Sequence, residues 1–376
     1  MTSALQDLLE RHVTNGTVPG AVASLGKAEP EVAAAGAMSV GGAPMRADAI
    51  MRIMSMTKAV TAVAALRLVE AGRLALDEPV ERWLPELADR RVLRSPTADL
   101  ADTSPAVRAI TLRHLLTCTS GYGMVLTDSP LQRAMADNEI DIGVDPVRFG
   151  ADEWLARLAA LPLAFQPGEG WRYHHSFGIV GILIARVAGR PLPDHLADDL
   201  LAPLRLRDTG LWVPAGGVAR LPASYRHTDS GLVEREPAGG GFYAAQPPFD
   251  VSHGELVSTV HDYTRFARML ADGGRFEGRQ IVSAEHVRLM TGDQVPAGAK
   301  TPDSFFPGFW DGTGWGFGVG VDTGGRRAGR YGWSGGQGTN FFVDRDGTVG
   351  VLLTQVEVGG WMQSLLGDFH ALPDAA

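Results

Sequence analysis

The two ends of the chain carry short apolar segments with the spacing of strands. Residues 21–26 and 31–36 are small and apolar and fit two strands joined by a turn. Near the other end, residues 315–321, 339–344 and 348–354 fit strands as well. Because strands occur at both ends, the simplest arrangement pairs them in one antiparallel sheet.

Elsewhere the apolar positions follow helical spacing. A short amphipathic helix is predicted over residues 3–14, and the segment from about 55 to 72 has helical periodicity and ends at Gly72. Further predicted helices cover residues 112–117, 151–160, 176–189, 193–201, 259–272, 283–290 and 361–371. Residues 210–255 and 291–314 are aperiodic and are predicted to be long loops. The pattern therefore predicts an α+β fold, with helices packed on a sheet.

Composition excludes several classes of protein. The chain has 376 residues with 34 basic and 43 acidic side chains, hence a net charge of −9 and no basic block for nucleic acid. Its single cysteine cannot build a disulfide framework or a thiolate zinc site. No run approaches the ~18 apolar residues of a membrane helix. The N-terminus lacks the pattern of a signal peptide, so a cytoplasmic location is expected.

Two Ser-x-x-Lys patterns are present, and their predicted contexts differ. Ser24 and Lys27 end a predicted strand, where side chains three apart point to opposite faces. Ser55 and Lys58 stand where a helix begins, so that both lie on one face and the amine can reach the hydroxyl. A neutral lysine amine there can take the proton of a nucleophilic serine. An N-cap serine beside a solvated lysine is the structural alternative.

The surroundings of Ser55 resemble the serine β-lactamase-related hydrolases, which include class C β-lactamases, D-Ala-D-Ala carboxypeptidases and family VIII carboxylesterases. The resemblance rests on stretches that occur in the family's order: Arg-Ile-Met-Ser-Met-Thr-Lys at 52–58, Leu-Val-Glu-Ala-Gly-Arg-Leu at 68–74, residues 77–80, 110–121 and 167–173, Leu-Val-Ser-Thr-Val at 256–260, and Trp-Ser-Gly-Gly-Gln-Gly-Thr at 333–339. It implies a β-lactamase/DD-peptidase-like fold with the active site between two lobes. The sheet lobe would comprise residues 1–52 with 315–376, and the mostly helical lobe residues 53–314.

The resemblance also implies a second catalytic residue, Tyr173. A lysine ammonium beside a tyrosine favours the phenolate, so we expect Tyr173 to act as a base towards Ser55 or the deacylating water. Class C β-lactamases carry an asparagine two residues after this tyrosine, where this chain has His175. His175 either donates a hydrogen bond to substrate in its place or packs. The pair His174–His175 is not expected to bind a metal, because no third ligand is placed.

The third motif is Lys-Thr-Gly on an edge strand in β-lactamases and Trp-x-Gly or His-x-Gly in esterase-like members. Here it is Trp333-Ser334-Gly335. The missing lysine would bind the β-lactam carboxylate, whereas an aromatic wall suits an uncharged ester. The backbone amides of Ser55 and Gly336 are expected to form the oxyanion hole.

Residues 332–336 also read Gly-Trp-Ser-Gly-Gly, which matches the Gly-x-Ser-x-Gly nucleophile elbow of α/β-hydrolases. Only 42 residues follow Ser334, too few for the remaining parallel strands of that fold. Elsewhere, Cys118 is expected to be a buried small residue. Aromatic residues cluster at 305–315 and fit either core packing or an acyl pocket, and Phe242, Tyr243 and Phe249 belong to a candidate lid.

The sequence thus predicts a serine hydrolase that cleaves carboxylic esters through an acyl-enzyme, with no metal or organic cofactor and a small-molecule ester or amide substrate. A D-Ala-D-Ala carboxypeptidase or β-lactamase and an acyltransferase of the same family remain alternatives. A non-catalytic ligand-binding protein is the alternative of another class. The oligomeric state stays open.

Overall fold

The computed structural model describes residues 3–141, 147–247 and 254–375. Its α-helices over these residues are α1 Ala4–Thr14, α2 Thr57–Glu70, α3 Leu112–Leu116, α4 Pro130–Asp137, α5 Ala151–Ala159, α6 His175–Ala188, α7 Leu192–Leu196, α8 Val260–Ala271, α9 Ala284–Met290 and α10 Met362–Ala375. Its strands are β1 Gly20–Gly26, β2 Glu31–Gly36, β3 Met51–Arg52, β4 Arg91–Leu93, β5 Thr103–Pro105, β6 Ser224–Thr228, β7 Gly231–Glu236, β8 Val257–Ser258, β9 Arg275–Phe276, β10 Arg279–Gln280, β11 Thr313–Trp315, β12 Gly320–Asp322, β13 Tyr331–Gly335, β14 Thr339–Val343 and β15 Val349–Leu353.

Strands from both ends of the chain form one antiparallel sheet, as the sequence predicted. Seven strands lie in the order β11-β12-β13-β14-β15-β1-β2. The two ends meet where β1 pairs with β15, with Val22 opposite Leu353. The N-terminal hairpin is therefore an extension of the C-terminal meander.

Alternation along these strands buries both faces of the sheet. In β14, Phe341 and Val343 face the large core shared with the helical region, whereas Phe342 faces a second core beneath α1 and α10. Helix α8 packs on β15, β1 and β14 from the side of the large core. Successive side chains of a strand point to opposite faces. Short strands rich in Val, Leu and Phe therefore bury side chains in a core on each side of the sheet.

The helical region is built around α2, which is buried along almost its whole length. This helix packs against α6, and α6 packs against α3. A short 3₁₀ turn, Met54–Met56, leads into α2 and carries Ser55. The small and branched residues of α2, mostly Ala and Val, allow neighbouring elements to approach this helix from every side, as expected of a central helix.

Two parts of the predicted secondary structure are wrong. The single strand predicted over residues 315–321 is divided into β11 and β12 by a reversal that includes Gly318, whose φ is +77°. A Cβ on Gly318 would lie 2.8 Å from the carbonyl oxygen of Lys58, so this turn needs glycine in order to pack on α2.

The segment predicted as a loop over 210–255 contains the hairpin of β6 and β7. Most β7 side chains are half-buried or exposed, so no apolar alternation marks this strand in the sequence. Tyr243 of the predicted lid is buried and Phe242 is half-buried. Phe249 lies outside the described residues.

Two further expectations concern membranes and metals. No single described helix is long and apolar enough to cross a membrane, and α6 with residues 192–201 meets the criteria of length and composition only as a pair bent by 77°. Within the described ranges, no group of three or more His, Cys, Asp or Glu side chains is arranged to hold a metal ion.

Arg52 links the sheet to the loops that cover it, immediately before the Ser55 turn. Its side chain is 1% exposed and forms an ion pair of 2.6 Å with Glu236. The same guanidinium donates to the carbonyl of Pro222 and to Oε1 of Gln355, each at 2.8 Å. A buried charge with this many partners is costly to leave half-satisfied.

We therefore predict that Arg52→Ala lowers the free energy of unfolding by about 3 kcal/mol, the low end for a broken buried pair because Glu236 keeps contact with water. Urea unfolding followed by circular dichroism measures the change. The control is Arg46→Ala, which removes an exposed partner of Asp48 and should leave the midpoint nearly unchanged. Equal midpoints for the two variants would contradict the prediction.

Candidate active site

Backbone geometry fixes Ser55 at the start of α2. Met54, the residue before it, has φ +49°, a strained value for a residue with a side chain. The amide of Ile53 donates to the carbonyl of Leu256 at 3.0 Å, and the hydroxyl of Tyr263 donates to the carbonyl of Met56 at 2.8 Å. Contacts on both sides thus hold the strained turn in place.

The structure brings Lys58 to Ser55, one helical turn apart. The distance from Lys58 Nζ to Ser55 Oγ is 3.0 Å. Lys58 is fully buried, and this burial lowers the pKa of its amine to about 7, although Cys118 and Glu255 oppose the shift. A substantial neutral fraction near neutral pH makes the amine able to accept the serine proton.

The other Ser-x-x-Lys pattern is not assembled in this way, as its position on a strand predicted. Ser24 is buried in β1. Lys27 is exposed in the turn after the strand and pairs with Asp346 at 2.8 Å. Lys27 is therefore a surface turn residue.

Tyr173 completes a cluster with Ser55 and Lys58. The ring centroid of Tyr173 lies 4.6 Å from Lys58 Nζ, and its hydroxyl is close enough to Ser55 for that side chain to favour the phenolate. We expected Lys58 to favour the phenolate, but burial raises the pKa of Tyr173 instead. Since the hydroxyl accepts the indole N–H of Trp333 at 2.6 Å, its own proton is left to donate. Tyr173 is thus placed as a proton donor in the resting state.

Trp333 lies in β13, between β12 and β14, and not on an outer strand of the sheet. The strand β12 pairs only with Tyr331 and Gly332, whereas residues 333–335 pair with β14. Over the third motif, β13 therefore has a local open edge towards the active site. This explains how an interior strand can present the motif that the resemblance places on an edge.

Close approach of β13 to the Ser55 turn requires glycine at position 335. A Cβ there would lie 2.3 Å from the carbonyl oxygen of Ile53 and 3.1 Å from Cβ of Met54. The hydroxyl of Thr339 donates to the same Ile53 carbonyl at 3.0 Å. Ser55, Ser334, Gly335 and Gly336 line one cavity, so the amides of Ser55 and Gly336 stay our predicted oxyanion hole.

The two histidines after Tyr173 have distinct environments. His174 caps α6 with φ +92°, another strained residue beside a predicted catalytic side chain. His175 is buried, stacks on Trp154, and places Nε2 2.6 Å from the carbonyl of Ile140. The Nε2–H group therefore donates to that carbonyl, and burial lowers the pKa of the ring. In this neutral tautomer the other nitrogen is an acceptor, so the alternative in which His175 donates to substrate is wrong here.

Cys118 is buried as predicted. Burial raises the pKa of its thiol to about 12, so it stays protonated near neutral pH. Its φ of +57° marks a tight turn after α3, close enough to Lys58 for their charges to interact. Sequence reasoning gave no signal for this proximity, because the thiol reaches the site only through packing.

A cavity of about 690 Å³ opens beside Ser55, a size suited to a small molecule. Of the aromatic cluster, Phe305, Phe306, Phe309 and Trp333 line it, while Trp310 and Trp315 pack on Trp171 behind the wall. Lining residues that the sequence did not single out come from distant segments: Trp154, Glu139–Asp141, Gly254, Glu255, and Met362, Gln363 and Leu366 of α10. A second cavity, of about 480 Å³ near residues 207–217, contains none of the predicted catalytic side chains.

The sheet, the buried helix and the Ser-Lys-Tyr cluster are features of a serine hydrolase-type enzyme. A profile of the Beta-lactamase family matches residues 5–361, and the chain belongs to this family. Protein Rv1367c of Mycobacterium tuberculosis is 36% identical over 314 residues, which cover 81% of this chain and 76% of that protein.

Two further proteins are similar to parts or all of the chain. Esterase EstB of Burkholderia gladioli is 42% identical over 170 residues, which cover 45% of this chain and 40% of EstB. The structure of EstCE1, described as a hydrolase with promiscuous acyltransferase activity, superposes with a TM-score of 0.77 at 24% identity, covering 96% of this chain and 97% of EstCE1. Together with the family match, the likeness to EstCE1 over nearly the whole chain establishes the β-lactamase/DD-peptidase-like fold.

The lowered pKa of Lys58 leads to a prediction about pH. Because only the neutral amine accepts the Ser55 proton, kcat/KM for an uncharged ester should rise with pH through a midpoint near 7 and then level off. Tyr173 and Cys118 have raised pKa values and do not titrate in this range. Initial rates across the range measure the profile. A midpoint at about 4 would assign the rise in kcat/KM to a carboxylate and contradict the role of Lys58.

The Trp333–Tyr173 hydrogen bond leads to a second prediction. Trp333→Phe removes the N–H group but keeps an aromatic ring, and losing a bond worth about 1–3 kcal/mol should lower kcat/KM by about fivefold to about a hundredfold. Trp310→Phe is the matched control, because its indole donates to Ser304 at 2.7 Å behind the cavity wall. Similar losses in both variants would point to general damage to the aromatic cluster.

Proposed function

We propose that this chain hydrolyses carboxylic esters of small molecules through an acyl-enzyme on Ser55. The observation that carries the proposal is the 3.0 Å contact between Ser55 Oγ and a buried lysine amine whose pKa is near 7. Burial in a wall of packed side chains keeps this amine partly neutral, which an exposed lysine would not be. An enzyme of this kind needs no metal to activate its nucleophile.

In the first step, Ser55 Oγ attacks the ester carbonyl carbon and its proton passes to Lys58 Nζ. The amides of Ser55 and Gly336 are assigned to the resulting oxyanion. The carbon–oxygen bond to the alcohol then breaks, and the departing oxygen takes a proton from Tyr173, which is replenished from Lys58. Hydrogen bonding by Trp333 orients the Tyr173 hydroxyl for this transfer.

In the second step, water attacks the acyl carbon while its proton passes through Tyr173 to Lys58. The acid leaves, Ser55 regains its proton, and the site returns to its starting state. Both steps use the same two proton carriers, because Lys58 contacts the Ser55 hydroxyl and Tyr173 lies next to both of them.

Ester hydrolysis is favoured over β-lactam or D-Ala-D-Ala cleavage by the side chain at position 333. A tryptophan stands where β-lactamases have the lysine that binds the substrate carboxylate. Its indole N–H is engaged with Tyr173 and is not free for a carboxylate. Acyl transfer to an alcohol or amine is the second candidate, since a cavity of about 690 Å³ has room for a second substrate beside the acyl group.

A substrate panel tests the proposal. The protein should hydrolyse a short-chain p-nitrophenyl ester and leave nitrocefin and a D-Ala-D-Ala peptide largely intact. Ser55→Ala and Lys58→Ala should each abolish turnover, because one removes the nucleophile and the other its base. Adding an alcohol to the ester reaction and measuring the new ester by chromatography separates transfer from hydrolysis.

Two control variants test whether Ser55 is the serine that carries the acyl group. Lys27→Ala changes the other Ser-x-x-Lys pattern on the surface and should retain full activity. Ser334→Ala should still form an acyl adduct at Ser55 in intact-mass measurements. An adduct that persists in Ser55→Ala and vanishes in Ser334→Ala would overturn the mechanism. Turnover of no substrate, with no adduct, would instead support a ligand-binding protein.

A further inference from the structure

We infer that Ser334 donates a hydrogen bond to an uncharged oxygen of the substrate, and that Asn340 and His370 are positioning residues that fix its hydroxyl for this contact. The substrate then carries a second carbonyl or ether oxygen beyond the ester that is cleaved. The inference deepens the proposed function, on which it rests for the reaction but not for the binding contact. It depends on a chain of hydrogen bonds from α10 through β14 to β13.

The amide of Asn340 forms the link next to β13. Asn340 is opposite Ser334 in the pairing of β14 with β13, so the two side chains lie on the same face of the sheet. Its Nδ2 donates to Ser334 Oγ at 2.9 Å and lies 3.5 Å from the carbonyl oxygen of Trp333. A carbonyl oxygen only accepts hydrogen bonds, so this neighbour determines which end of the amide faces β13. The nitrogen is therefore on the side of Ser334, and Oδ1 is left for a donor on the other side.

His370 of α10 supplies that donor. Its Nε2 lies 2.9 Å from Asn340 Oδ1, and because the amide oxygen accepts, the proton of the ring is on Nε2. The ring packs nearly at right angles to Phe342, with the centroids 5.2 Å apart. Burial and the charges of Arg330 and Arg327 lower the pKa of His370 to about 3, so the ring is neutral near neutral pH. The direction of the hydrogen-bond chain is thus constant.

This direction decides what the Ser334 hydroxyl can do. Because Oγ accepts from Asn340, the hydroxyl proton is not used on that amide and is available to a different acceptor. Asn340 is the one hydrogen-bond partner of this hydroxyl within the residues that the structure describes. Ser334 also lines the cavity beside Ser55. A ligand oxygen in the cavity can therefore accept the proton.

The wall next to Ser334 indicates what kind of group carries that oxygen. Met362 and Leu366 precede His370 on α10 at intervals of four residues, so all three lie on one face of the helix. Met362 and Leu366 line the cavity, as does Val358 before the helix. A single donor satisfies an uncharged oxygen, whereas a carboxylate is costly to bury among apolar side chains. The group is therefore an aliphatic chain interrupted by a carbonyl or ether oxygen.

The spacing along β13 gives the position of this oxygen in the substrate. Ser334 is two residues before Gly336, whose amide is assigned to the oxyanion. Two residues of extended chain span roughly 7 Å. The second oxygen is therefore on a carbon about four or five bonds from the ester carbonyl carbon, in the acyl chain or in the alcohol.

Matched pairs of esters test the inference. In each pair a ketone carbonyl replaces one methylene: p-nitrophenyl 5-oxohexanoate against hexanoate, p-nitrophenyl 6-oxoheptanoate against heptanoate, and 4-oxopentyl butyrate against pentyl butyrate. Within at least one pair, Ser334→Ala should lower the ketone-to-methylene ratio of kcat/KM about fivefold, the effect of losing one neutral hydrogen bond. The ratio is taken within one enzyme preparation, so it is unaffected by a lower folded fraction.

Two variants of His370 test the positioning role. His370→Leu removes the donor to Asn340 and lets the amide turn, so the ratio should fall to about the Ser334→Ala value. His370→Gln keeps an N–H group near the place of Nε2 and should retain the ratio. In the Ser334→Ala protein, His370→Leu should have no further effect, because both changes act through one hydroxyl.

His286→Leu is the matched control. This histidine belongs to α9, where its Nδ1 lies 2.7 Å from Glu70 Oε1, and it is not among the described residues that line the cavity. The variant removes a hydrogen-bonded imidazole from a helix, as His370→Leu does, but away from Ser334. Its ketone-to-methylene ratio should equal that of the unchanged protein.

Binding separates this inference from the proposed function. In the Ser55→Ala protein, calorimetric titration with the same esters gives dissociation constants without turnover. A preference for the ketone that Ser334→Ala removes supports the contact even where no ester is hydrolysed. Ratios of rate and of affinity that Ser334→Ala leaves unchanged would overturn the inference, and so would a loss in His370→Leu that persists in the Ser334→Ala protein.

Discussion

The contact between Ser55 and a lysine amine kept away from water is the interaction on which the rest of the site depends. An exposed lysine is protonated at neutral pH and cannot take a proton from serine. Lys58 is 0% exposed because α2 is surrounded by packed side chains on every face. The interior of the fold therefore supplies the dielectric that makes an ordinary amine a base.

The tryptophan in the third motif affects the charge around the same serine and lysine. A second lysine at position 333 would lie in the cavity that also holds Ser55, and its charge would disfavour protonation of Lys58 while attracting anions. Trp333 instead supplies one N–H donor, used on Tyr173, and a ring face.

How much of this could be predicted depends on how local each interaction is. The Ser55–Lys58 contact follows from helical spacing, and the pairing of the two chain ends follows from strand patterns, so both were predictable. The predicted direction of the Tyr173 pKa shift was wrong. Burial by residues far apart in sequence raises this pKa and outweighs the effect of the neighbouring lysine charge. The donor role considered for His175 failed for a similar reason, since the carbonyl of Ile140 reaches it from a separate segment. The sequence gives no local signal that Glu255 lines the cavity, because long-range contacts such as the pairing of β3 with β8 bring its segment to Ser55.

Backbone strain shows where the fold trades local preference for this arrangement. Met54 and His174 both have positive φ, and each is directly bonded in sequence to a predicted catalytic residue. Such conformations cost on the order of 1–3 kcal/mol each and persist only where surrounding contacts over-determine them. Around Met54 these contacts are the Ile53–Leu256 hydrogen bond, the close approach of Gly335, and the hydrogen bond from the Tyr263 hydroxyl to the carbonyl of Met56. Contacts from Leu256, β13 and α8 thus hold the strained turn that leads into α2, and the same helix carries Lys58 into the interior, so that the nucleophile and its base are positioned by one continuous segment.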